Sequence, residues 1–238
     1  MRYKVFLPIV MVMAMATAQQ QTEGDGFGGP MVGGVYYKLE DLNSRLSNLG
    51  FGTFDNVQYI VGAKGYALIK QRVLIGGSGF GILGQTVNND SVSAKLTGGA
   101  GFFDVGFALF ASNNYSLIPV VGIGGAGISL DLAPRQRAEP LFDSVLVNPR
   151  RTAKLNAAGF ALKLGLVNHF AWEVVSEQKN NVTSTFILGG SIEASLIFMP
   201  SMEWELENGI GVFNAPDPKN YMVMVGVTVL LGGRETRM

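Results

Sequence analysis

The chain has 238 residues, 18 basic against 18 acidic side chains, no cysteine, 47% hydrophobic residues and only 15% charged ones. Soluble domains carry roughly one-quarter charged residues, and nucleic-acid binders concentrate positive charge on one face; neither description fits. Without cysteine there are no disulfides, no thiolate metal sites and no acylated N-terminal cysteine.

Arg2 and Lys4 precede an apolar run over residues 5–15, and Ala16-Thr17-Ala18 stands before three glutamines. That order predicts a cleaved secretory signal peptide over residues 1–18, the apolar run being too short to span a bilayer. Cleavage would leave 16 basic against 18 acidic residues. Residues 19–29 read as a polar, glycine-rich flexible arm, and 30–37 have the length of a short strand. Over 38–49, Leu39, Leu42, Leu46 and Leu49 recur at helical spacing, Glu40, Asp41 and Arg45 fill the other side, and Gly50 stands where a C-cap belongs. This amphipathic helix is expected on the rim of whatever follows rather than as a plug. The domain reading is therefore 1–18 signal peptide, 19–56 arm and helix, and 57–233 β-barrel.

The barrel reading rests on parity. In the first long apolar run, Phe103, Val105, Phe107 and Leu109 alternate with Gly98, Ala100, Asp104, Gly106 and Ala108. Successive side chains of a strand point to opposite faces, so bulky apolar groups take one face and small ones the other. A membrane barrel needs that division, with lipid outside and a narrow filled lumen inside. Strand candidates are 57–69, 73–83, 95–111, 116–130, 154–170, 183–199, 202–213 and 221–231. The split recurs, with Phe160, Leu162, Leu164 and Leu166 opposite Ala161, Lys163 and Gly165, and Val223, Val225, Val227 and Val229 opposite Met224, Gly226 and Thr228. Lys70-Gln71, 112–115 and Pro200-Ser201 read as tight turns, 84–94 and 133–153 as longer polar loops, and 173–181 as a medium connection. The expected fold is all-β, an antiparallel transmembrane barrel of about eight strands with one short N-terminal helix. Adding 30–37 as a ninth strand would require a tenth.

With its leader, dyad-patterned strands and tight turns, the chain resembles small bacterial outer-membrane β-barrel proteins. FGGPMVGG (27–34) and VLIGGSGFGIL (73–83) are similar to glycine phrases of uncharacterised members of that kind. The resemblance implies an integral barrel in contact with outer-membrane lipid, and no known activity. The terminal Gly232-Gly233-Arg234-Glu235-Thr236-Arg237-Met238 departs from the aromatic ending common in such barrels.

Gly122, Gly124 and Gly127 satisfy the spacing of a dinucleotide loop, but the alternating Ile128-Ser129-Leu130-Asp131-Leu132 before Pro134 leaves no room for the required helix. No nucleotide and no other cofactor is expected. Lys64, Asp104, Lys163 and Glu193 fall on inward positions, and Glu203, Glu205 and Glu207 share a face opposite Trp204 and Leu206. All seven are read as lumenal charges forming an ion-pair network, with a cation-attracting constriction or an oxygen-ligand cation site as the functional alternative. His169 is the single histidine; it is read as part of an interfacial aromatic girdle with Phe170, Trp172, Trp204 and Tyr221. Glu173 and Ser176 beside it lack any nucleophile motif, so an enzyme is not expected. The function read from sequence is structural, adhesive or minor permeation. The alternatives are a soluble exported barrel holding an apolar ligand and a lipid-modifying enzyme.

Overall fold

The structure, a computed structural model, describes residues 24–112, 114–135, 152–179, 182–216 and 218–237. The expected signal peptide and most of the polar loop 133–153 lie outside the described residues. In chain order the elements are β1 (Gly24–Tyr36), α1 (Glu40–Asn48), β2 (Val57–Ile69), β3 (Val73–Asn88), β4 (Val92–Phe107), β5 (Phe110–Ala111), β6 (Tyr115–Pro134), β7 (Ala153–Lys179), β8 (Val182–Phe198), β9 (Trp204–Leu206) and β10 (Tyr221–Arg237).

Eight long strands, β1, β2, β3, β4, β6, β7, β8 and β10, pair antiparallel in a ring that β1 and β10 close. Starting at Ser116 on β6, cross-strand partners run through His169, Ser191, Thr228, Met31, Gly62, Phe80 and Ala100. The path returns to β6 at Ala126, ten residues above its start. Eight strands with that stagger make a narrow, tilted barrel whose interior holds side chains and little else.

Ring membership differs from the sequence expectation in two places. β1 begins at Gly24 and is a barrel strand, so the barrel starts before residue 57 and residues 24–29 are no flexible arm. Its glycines occupy both faces, which erases the parity that marks the other strands. Residues 202–213 form no barrel strand: β9 covers three of them and pairs with the first residues of β7. The medium connection expected at 173–181 is largely strand, because β7 runs to Lys179 against β8.

One end of the ring carries the long connections 37–56, 135–152 and 199–220, and the other carries short turns and both strand termini. At the turn end, Lys70 and Gln71 take φ +49° and +55°, the twist a two-residue hairpin requires. Pro200-Ser201, expected as a tight turn, instead opens the 199–220 connection at the loop end.

The outer wall is apolar: Phe103, Val105, Phe107, Leu164, Ile192, Val225 and Val227 are all exposed. Narrowness explains the glycines of the inner face. A Cβ on Gly62 would overlap the Gly79 carbonyl oxygen, and one on Gly124 the Gly101 carbonyl oxygen. At outward Gly101 a Cβ would meet nothing within 4 Å.

Two apolar layers fill the lumen. The loop-end layer joins Ile60, Ile82, Leu96, Ile128 and Met224 to Leu42 and Leu46 of α1 and to Trp204. The helix therefore lies across the loop-end mouth and turns Leu42 and Leu46 into it, while Leu49 stays exposed. Asn43 fastens it there by exchanging hydrogen bonds with the Phe54 backbone (2.8 and 2.9 Å). Arg45 Nη1 donates to the Asn214 carbonyl at 2.6 Å. The turn-end layer contains Phe27, Tyr66, Leu74, Ile118, Val167 and Ile187.

Candidate functional site

Between the two apolar layers lies a plane of charge. β2, β4, β7 and β8 each send one ionisable side chain inward there, because Lys64, Asp104, Lys163 and Glu193 occupy the lumenal parity of their strands. Lys64 Nζ is 2.5 Å from Glu193 Oε2. Lys163 Nζ lies 3.0 Å from Glu193 Oε1 and 2.8 Å from Asp104 Oδ2. Ser78 Oγ donates to Asp104 Oδ2 (2.7 Å) and accepts from Lys163 (2.8 Å); Ser195 Oγ donates to Glu193 Oε1 (2.6 Å). Phe102 on the loop side lies 5.2 Å from Lys163 Nζ, and Tyr66 on the turn side lies 5.6 Å from Lys64 Nζ.

The four charges are at most 4% exposed, and two ammonium groups cancel two carboxylates. Charges in so dry an environment persist only when paired and hydrogen-bonded. The carboxylates are taken by lysines, and among the described residues no group of three or more His, Cys, Asp or Glu could hold a metal. The plane carries both signs of charge and is packed between the two apolar layers. Asp104 Oδ1 and Ser191 Oγ, both buried, have no partner among the described residues.

Glu203, Glu205 and Glu207 are not lumenal. All three are exposed while Trp204 is buried, its Nε1–H donating to the Pro216 carbonyl at 2.8 Å. The alternation holds as far as Glu205, with its direction reversed, and stops at Leu206, which is exposed as well. β9 lies beside the first residues of β7 at the loop end, with the carboxylates pointing out and the indole pointing in. These carboxylates neither meet the buried quartet nor line a constriction.

His169 also departs from the expectation of a girdle position. It points inward, 2% exposed, with Nδ1 2.6 Å from Tyr66 Oη and its ring against Phe27. Lys163 and Val167 on the same strand point inward, and that parity carries His169 with them. Near it on the outer side, Phe110, Tyr115, Phe170 and Trp172 form a row, each in contact with the next. Glu173 is bound by Arg234 (2.6 Å), and Ser176 meets Thr185. His169, Glu173 and Ser176 thus face three different partners and compose no catalytic group.

Arg234 was not singled out from the sequence. It grips Asp25 with two hydrogen bonds (2.6 and 2.8 Å) as well as Glu173, clasping the seam between the first and last strands at the turn end. Asp25 lies in the expected arm, so no sequence signal pointed to the clasp. Gly122, Gly124 and Gly127 lie within β6, which continues as strand to Pro134. Nothing there offers a helix N-terminus to a phosphate.

No family model and no curated protein matches the sequence. Among solved structures the chain is similar to Ail, the attachment invasion locus protein of Yersinia pestis. In complex with the heparin analogue sucrose octasulfate, that protein is 13% identical, the match covers 91% of this chain and 100% of that one, and the TM-score is 0.39. A second Ail structure gives 12% identity, the same coverage and a TM-score of 0.37. The outer membrane protease OmpT of Escherichia coli is 13% identical over 92% of this chain and 97% of that one, with a TM-score of 0.29. Likenesses this distant carry neither activity nor ligand across; the closed eight-stranded ring stands on its own strand pairing.

Proposed function

We propose that this chain is an integral outer-membrane barrel with a structural or adhesive role, anchored by its wall and working through its ends. The observation that carries this reading is the pairing of an apolar outer wall with a lumen filled by two apolar layers and a neutralised charge plane. The wall suits lipid, which supports membrane insertion over the soluble ligand-binding alternative. The packed lumen leaves no room for an apolar ligand and speaks against permeation. The loop end, with α1 and the 199–220 connection fastened over the mouth, is the surface presented to the exterior. No catalytic role is assigned.

The chain lacks cysteine, so a single introduced thiol is a unique reporter of sidedness. On intact cells a membrane-impermeant maleimide should label Asn208→Cys in the β9 hairpin, and label Gln71→Cys only after the outer membrane is breached. The folded protein should migrate differently in SDS when unboiled, since a closed ring leaves few strand edges to open. Recovery in the soluble periplasmic fraction, with no heat-dependent shift, would sink the proposal.

A further inference from the structure

Past the turn end, three strands run on beyond the ring. β6 begins at Tyr115, opposite Phe170 of β7, whereas β7 continues to Lys179 and pairs throughout that stretch with β8. β10 pairs with the other side of β8 as far as Arg237. The result is a tongue with β8 at its centre, projecting nine residues past Phe170, or about 30 Å of strand. The Ala171 N–H still donates to the Asn114 carbonyl at 3.0 Å. From Trp172 to Glu177, no described strand pairs with the outer edge of β7.

Exposed edges are normally blunted by proline, lysine or brevity. The sequence WEVVSE over 172–177 contains neither proline nor a basic residue, and all six positions are exposed. A bulge between Glu173 and Val175 bends the root of the tongue, and beyond it the register with β8 is unbroken. Two acidic residues lie on this stretch. Glu173 is held by Arg234, while the Glu177 carboxylate has no ion-pair partner among the described residues. Val175 and Glu177 share the outward side with Trp172. The edge therefore offers a run of backbone donors and acceptors, apolar side chains and one open carboxylate.

We propose that this edge binds an extended polypeptide segment of a partner protein by strand addition, an apolar side chain against Val175 and a basic one beside Glu177. In this mode the backbone ladder supplies affinity and alternate side chains supply specificity. A second copy of the chain suits the edge poorly, because two such edges would set Glu177 against another acidic strand. The proposal rests on the unpaired edge and on the side chains exposed along it, and needs that stretch to stand clear of lipid.

The test uses the full-length protein folded in detergent micelles and a fluorescein-labelled peptide alternating valine with lysine, read by fluorescence anisotropy. Saturable binding is expected. N-methylation of alternate peptide amides, which leaves the protein untouched, should abolish it. Glu177→Lys, checked for folding by its heat-dependent gel shift, should weaken binding about tenfold. Equal binding by the N-methylated peptide, or by one alternating valine with aspartate, would overturn the proposal. So would a peptide-free dimer dissolved by Glu177→Lys in sedimentation, which would give the edge to a second copy.

Discussion

Glu193 is shared between two ammonium groups: Lys163 Nζ lies 3.0 Å from one carboxylate oxygen while Lys64 takes the other. Lys163 also holds Asp104 at 2.8 Å, so it is the junction of the buried quartet. Breaking a buried pair from one side costs roughly 3–5 kcal/mol, because a bare charge remains. Lys163→Met should therefore lower the unfolding temperature in detergent sharply. Lys163→Met combined with Asp104→Leu leaves Lys64 and Glu193 paired, and should recover most of the loss. If the double variant is as unstable as the single one, the charge accounting for the lumen is wrong.

Inner and outer glycines should respond oppositely to a side chain. Gly62→Val forces atoms into the Gly79 carbonyl, whereas Gly101→Val points into open space on the outer wall. The first should fail to yield a heat-modifiable species, and the second should fold like the parent. Equal tolerance at both sites would mean the facing has been misassigned.

At the loop end, Lys219 clips α1 through Asp41 at 2.5 Å. The hydrogen bond and charge of Lys219 hold the Asp41 carboxyl below its usual value. A depressed carboxyl favours the folded state above its ordinary pKa, and that contribution disappears as pH falls through the lowered value. The protection of the α1 amides, taken relative to their intrinsic exchange rate at each pH, should hold near neutrality and fall below about pH 4. Asp41→Asn should weaken the clip at neutral pH and remove that part of the acid response. An unchanged acid response in the variant would show that the clip does not govern the helix.

The period of two made much of this fold legible. β2 occupies 57–69 as expected, and the inward parity of Lys64, Asp104, Lys163 and Glu193 follows from small neighbours on one face. Their mutual contacts were not legible, since they depend on the stagger of strands far apart in sequence. β1 was obscured because Gly26, Gly28, Gly29, Gly33 and Gly34 bleach both faces. Trp204 was read outward on the premise that a bulky face always meets lipid, a premise that fails at the loop end. His169 was misjudged from its aromatic neighbours, although alternation with Lys163 already placed it inside.

The central claim is a barrel with lipid outside and a packed lumen, and the two tryptophans test it directly. Trp172 is 54% exposed at the turn-end margin of the outer wall and Trp204 is 5% exposed at the loop-end mouth. In vesicles containing brominated phospholipid, Trp204→Phe leaves Trp172 as the reporter, and its fluorescence should be strongly quenched. Trp172→Phe leaves Trp204, which should be quenched little. Quenching of Trp204 as deep as that of Trp172, or of neither, would contradict the account.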